Sequence, residues 1–117
     1  MGTHEDLDVW KLSMNLVVDI YTLTKSFPSD EKFGLISQLR RAAVSVPSNI
    51  AEGAARKSDK ENLQFLYIAL GSIAEIETQL LISERLGFCD SGIVLKQTIV
   101  VKSKLINFIK YLKSIQK

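Results

Sequence analysis

Arg41, Ser45, Ser48 and Glu52 recur at steps of four, three and four. On a helix, those steps put a cation, two hydroxyls and a carboxylate on one face. Ser72, Glu75 and Gln79 make a second polar stripe at steps of three and four. Glu77 and Glu84 fall close to the apolar seam of that same segment. A half-buried carboxylate is tolerable only when it is paired. If the two segments pack together, Arg41 or Arg40 can meet Glu75 or Glu77. Such a constellation serves either as a structural ion-pair network that fixes register or a contact between copies, or as a site for a ligand or partner.

Little else in the chain suits catalysis. The only histidine is His4, near the N-terminus. A di-iron carboxylate bundle needs two Glu-x-x-His motifs, and a Ser–His or Cys–His nucleophile pair needs a histidine in the ordered core. Glu52-Gly53 lies on a helical pattern with no strand before it, which excludes a phosphate loop or a dinucleotide fingerprint. Cys89 is the sole cysteine, so neither a disulfide within the chain nor a cysteine metal cluster can form. No lysine or histidine lies beside it to lower its pKa. We therefore expect no enzyme, no cofactor, no metal and no small-molecule substrate.

The net charge is only +2, but it is unevenly spread. Residues 1–31 carry Glu5, Asp6, Asp8, Asp19, Asp30 and Glu31 against Lys11 and Lys25, and no acid follows Asp90. That last stretch holds Lys96, Lys102, Lys104, Lys110, Lys113 and Lys117. Lysines on one helix end can neutralise phosphates, and Arg40, Arg56 and Lys57 could extend the patch. Contact of this kind would read phosphate rather than sequence. Lysines near a helix C-terminus also favour the helix dipole, which gives some of them a structural reason.

Four helical patterns must position these residues, within a single domain spanning 1–117. The first covers about 6–26, with Trp10, Met14, Val17, Tyr21 and Thr24 as its apolar row, Asp6 or Asp8 as its cap and Phe27-Pro28-Ser29 as its end. The second covers about 30–56, with Leu35, Leu39, Ala42, Val46 and Ile50 as its row. Pro47 lies inside that row, so this helix either kinks or breaks there, and the continuous apolar phase favours a kink. The third covers about 59–86, opened by a capping box at Ser58 and Glu61 and closed by Gly87. The fourth covers about 91–115, along Val94, Thr98, Val101, Leu105, Phe108, Leu112 and Ile115. Short connections make successive helices antiparallel neighbours, giving an all-α, up-and-down four-helix bundle.

The helices carry more apolar surface than one bundle needs. Leu12, Leu16, Ile20, Leu23 and Phe27 add a second row to the first helix. Phe65, Ile68, Ile76, Leu80 and Ile82 lie off the Leu63-Leu66-Leu70-Ile73-Leu81 row of the third. Self-association is the natural outlet for such surface. The polar, acidic first residues do not form a secretory signal, and no apolar run reaches about 18 residues. The expectation is a cytoplasmic protein with no membrane contact.

The stretch from Gln38 to Gly53, Gln-Leu-Arg-Arg-Ala-Ala-Val-Ser-Val-Pro-Ser-Asn-Ile-Ala-Glu-Gly, closely resembles the signature of the four-helix-bundle family named for 23S rRNA intervening-sequence proteins. Trp10 with Tyr21, Phe27-Pro28, Gly34-Leu35, and Ala69-Leu70-Gly71-Ser72 followed by Glu75 also look like that family. The resemblance implies a bacterial cytoplasmic protein, a kinked up-and-down bundle, and a ring of copies, a homopentamer. It also implies kinship with the accessory factor of diversity-generating retroelements, a basic pentamer that binds nucleic acid and a reverse transcriptase. The signature residues fall on Arg40, Arg41, Ser45, Asn49, Glu52, Gly53, Ser72 and Glu75, none of them catalytic in the family. Two functional expectations follow. One is an oligomeric accessory protein that binds RNA or DNA through its lysine-rich surface. The other is an oligomeric scaffold or protein adaptor that binds no nucleic acid.

Overall fold

The computed structural model describes residues 3–115, with Asp6 described by its backbone alone. Four helices form, α1 (Asp8–Thr24), α2 (Leu35–Ala54), α3 (Asp59–Arg85) and α4 (Gly92–Ile115), and no strand occurs among the described residues. Short 3₁₀ turns at His4–Asp6 and Ser29–Glu31 precede α1 and α2. Each helix packs on two neighbours, in the cyclic order α1, α2, α3, α4. The particle is a rod of 48 × 21 × 20 Å.

Cross-helix pairs fix the directions. Gln79 bonds Gln38, and Ser72 bonds Ser45, so α3 runs against α2. Lys102 meets Glu77, and Ser91 meets Glu84, so α4 runs against α3. Gln97 donates to Asp19 and closes the ring between α4 and α1. Arg40 reaches Thr24 from the start of α2, at the far end of α1.

The local signals act at most termini. Ser58 Oγ accepts from the Glu61 N–H at 3.2 Å and donates to the Glu61 carboxylate, which closes the expected capping box through its hydroxyl. Gly87 takes φ +78°, and the Phe88 N–H bonds the Ser83 carbonyl while the Gly87 N–H bonds Glu84. That is the two-bond helix stop for which glycine is suited. At the start of α1, Leu7 occupies the cap position and makes no side-chain cap bond, Asp8 is the first helical residue rather than the cap, and the Asp6 side chain lies outside what is described. α2 also starts later than expected. The chain after Pro28 makes the 3₁₀ turn, and the Glu31 carboxylate accepts from the Leu35 N–H at 3.1 Å. α2 runs through Pro47 as one helix, so the break falls away, and no kink is shown there.

The core is one apolar cluster running the length of the rod, with Leu16, Ile20, Leu39, Ile50, Leu66, Ile73, Ile76, Leu80 and Leu105 fully buried. The apolar rows of α2 and α4 face inward largely as expected. Ile109 takes the buried place beside Phe108, and Ile115 is half exposed. The row of α1 is shifted by about one residue as far as Ile20, and Thr24 is buried as expected. Val9, Ser13, Leu16, Ile20 and Thr24 are buried, and Met14 and Tyr21 are exposed. Ser13 and Thr24 tolerate burial because each hydroxyl bonds a carbonyl of its own helix, at 2.8 Å. On α3, Ile76 and Leu80 are buried and Leu81 is not. α3 alone among the described residues is long and apolar enough to cross a membrane by length and composition. In the bundle, one of its faces is core.

Candidate functional site

The two polar stripes meet. Between α2 and α3 lies a groove of about 340 Å³, lined by Gln38, Arg41, Ala42, Ser45, Ser72, Glu75 and Gln79. It exists because small side chains line this seam. Ala42, Ser45 and Ser72 leave space that leucines would fill. Antiparallel packing sets the side chains in rungs about one turn apart, ~5.4 Å. Gln38 faces Gln79 at one end, and Ser45 faces Ser72 at the other. Arg41 and Glu75 occupy the rung between them.

The hydroxyl rung is well tied. Ser45 Oγ and Ser72 Oγ lie 2.8 Å apart, and Asn49 Nδ2 donates to Ser45 Oγ at 2.9 Å and to the Ser45 carbonyl at 2.8 Å. The amide rung is looser. Gln79 Nε2 donates to Gln38 Oε1 at 3.3 Å, while Gln79 Oε1 is buried without a hydrogen-bond partner. Arg41 and Glu75 are exposed, and neither is in an ion pair among the described residues.

The expected pairing of Arg40 or Arg41 with Glu75 or Glu77 is therefore corrected. Arg40 turns the other way. Its Nε donates to Thr24 Oγ1 at 2.9 Å, its Nη2 donates to the Tyr21 carbonyl, and its guanidinium stacks 4.5 Å from the Tyr21 ring centre. Glu77 faces α4 and meets Lys102 Nζ at 3.1 Å. Glu52 leaves the stripe and pairs with Arg56 at 2.7 Å, one turn on. Ser48 lines a different cleft, against Trp10, Met14 and Val17 of α1. Of the expected network, Arg41, Ser45, Ser72 and Glu75 share the groove, and Asn49 supports it from behind. Gln38 was not foreseen there, although it continues the Arg41 stripe one turn back, at a step of three.

The expected basic surface is divided. Lys102 is held by Glu77 on the α3 side, Lys104 lines a cleft with Leu7, Asp8 and Val9 on the α1 side, and Lys96 borders an apolar cleft with Leu12 and Ile93. Lys110 and Lys113 are exposed near the end of α4, Lys57 is exposed in the α2–α3 turn, and Lys117 lies outside the described residues. Arg56 stacks 4.6 Å from the Phe65 ring while it pairs with Glu52. No group of three or more acidic, histidine or cysteine side chains able to hold a metal occurs among the described residues.

Comparison with known families decides the kinship that the signature suggested. The model described as 23S rRNA-intervening sequence protein matches residues 5–113. The chain belongs to that family. A structural relative agrees with this intervening-sequence assignment. It is the crystal structure of a protein of unknown function from the S23 ribosomal protein family of Bacteroides thetaiotaomicron VPI-5482, which aligns with TM-score 0.81 and 25% identity over 87% of this chain and 95% of that one. Comparison with curated proteins gives no match.

Proposed function

We propose that this intervening-sequence family protein is a non-enzymatic scaffold that works as a homo-oligomer, the ring that its family likeness implies. The outward side of α3 carries this reading. Tyr67, Ile68, Ile82 and Leu86 are 47%, 52%, 43% and 56% exposed there, next to Leu81 at 45%. Exposed apolar side chains gathered on one side of a helix mark an interaction surface, and a second copy is the simplest cover for them. Light scattering on the full chain tests the reading. The expected mass is a multiple of 13.1 kDa, reduced by Ile68→Lys or Ile82→Lys, two exposed positions that do not hold the core. A monomeric wild-type protein rejects it.

A second reading is contact with RNA or DNA phosphates. It is supported by the lack of any acid after Asp90 and by the lack of an ion pair at Lys96, Lys104, Lys110 and Lys113 among the described residues. Fluorescence anisotropy with duplex DNA and hairpin RNA over a salt series tests it. Binding that falls steeply with salt supports it, and no binding at about 50 mM salt, where such contacts are strongest, rejects it.

A further inference from the structure

The α2–α3 groove holds four polar functions that its own walls leave unused. Arg41 on α2 and Glu75 on α3 are opposite charges in one groove, yet no nitrogen–oxygen pair between them comes within 4.0 Å. Gln79 Oε1 is a buried acceptor without a donor. The Ser45–Ser72 rung supplies the fourth. Two hydroxyls share one bond, and Ser45 Oγ already accepts from Asn49. Whichever hydroxyl donates within the rung, the proton of the other has no side-chain acceptor. The groove thus offers two donors, Arg41 and a serine hydroxyl, and two acceptors, Glu75 and Gln79 Oε1.

We propose that this groove binds a free α-amino acid in its zwitterionic form. The carboxylate takes the Arg41 guanidinium and the serine hydroxyl, and the ammonium takes Glu75 and Gln79 Oε1. The arrangement selects by charge. A simple anion is drawn to Arg41 but repelled by Glu75, and a simple cation meets the reverse. Only a small molecule carrying both charges meets all four groups. Leaving a buried acceptor unmade costs about 1–3 kcal/mol, so a donor at Gln79 Oε1 contributes more than a surface contact would. The volume, about 340 Å³, lies at the small end of ligand sites, which run from roughly 300 to 1,000 Å³. All seven residues that line it come from one copy.

Isothermal titration of the full chain with each of the standard L-amino acids, at up to about 10 mM so that weak sites register, tests the proposal. The expected result is saturable binding by at least one of them. Propionate and propylamine, which offer one charge each, are expected to bind at least about tenfold more weakly, a difference of 1.4 kcal/mol. Arg41→Met and Glu75→Gln are each expected to weaken binding by a similar factor. Both side chains are exposed and unpaired, so the melting temperature without ligand should not move. Absence of binding by every amino acid overturns the proposal, as does binding unaffected by both variants or matched by propionate. A wild type that binds nothing, with a mass in solution that changes on Arg41→Met, also overturns it and assigns the groove to a contact between copies.

Discussion

Gly53 of α2 rests directly against Asn62 of α3. A Cβ added at Gly53 would stand 3.0 Å from the Asn62 carbonyl oxygen and 3.2 Å from Phe65 Cβ, and would collide with Asn62 Oδ1 as well. Two of these obstacles belong to backbone or to the root of a side chain, so they cannot swing aside. The contact sets how closely the C-terminal end of α2 approaches the start of α3.

Gly53→Ala should destabilise the protein even though alanine is the better helix former. The propensity gain is about 1 kcal/mol, and overpacking costs about 1–3 kcal/mol. Gly71 is the contrast. It lies inside α3, and an added Cβ there meets nothing within 4 Å. Gly71→Ala should stabilise by about 1 kcal/mol. Urea denaturation of both variants should give shifts of opposite sign, and two shifts of one sign would refute the account.

Arg40→Lys should weaken the join between α1 and α2. Lysine keeps the charge but cannot hold Thr24 Oγ1 and the Tyr21 carbonyl together while stacking on the ring. The expected cost is about 1–2 kcal/mol, in the range of charge-assisted hydrogen bonds, read as a lower denaturation midpoint. Any affinity for duplex DNA should stay unchanged, because the guanidinium already serves α1. A specific loss of DNA binding at full stability would return Arg40 to the basic surface.

Glu84 ties the α3–α4 turn. Its Oε1 accepts from the Ser91 N–H at 3.1 Å and from Ser91 Oγ at 2.8 Å. Glu84→Ala leaves both buried donors unmade, at about 1–3 kcal/mol. Glu84→Gln keeps an oxygen in place and should recover part of that loss in thermal melts. Equal effects of the two variants would mean that the hydrogen bonds are not the cause.

Burial pushes the Cys89 thiol up from its ordinary value of 9.0, and the negative charges of Glu84 and Asp90 push it the same way. A raised thiol pKa lowers the thiolate fraction at every pH below it. Cys89 should therefore react with a disulfide reagent more slowly than free cysteine at neutral pH, with its rate rising at higher pH than for the free amino acid. A rate equal to free cysteine at pH 7 would show that the thiol is not perturbed.

The bundle was legible because its strongest signals are local. Ser58 with Glu61, and Gly87, act within one turn, and the α2 row from Leu35 to Ile50 has few competing apolar residues. The α1 row was misplaced for a physical reason. Ser13 looks polar in the sequence, but its hydroxyl bonds its own helix and so passes for core. The groove was half legible. Spacing placed Arg41 and Ser45 on one face and Ser72, Glu75 and Gln79 on another, and packing joined the two. Spacing could not reveal that Arg40 would turn toward Tyr21 or that Glu77 would face Lys102, because each choice depends on which neighbour stands beside the helix.

The close seam at Gly53 also bears on the order of assembly. α2 and α3 are joined by residues 55–58 alone and share the most extensive contact of any helix pair, whereas α1 and α4 come from opposite ends of the chain. Closing a short loop costs less entropy than closing a long one, and local contacts form sooner. We expect the α2–α3 hairpin to be the first unit to form and the last to open, with α1 and α4 locking around it afterwards. Native-state hydrogen exchange should then find the slowest amides around Leu39, Ile50, Leu66 and Ile73. Slowest exchange in α1 and α4 instead would place the nucleus at the joined ends of the chain.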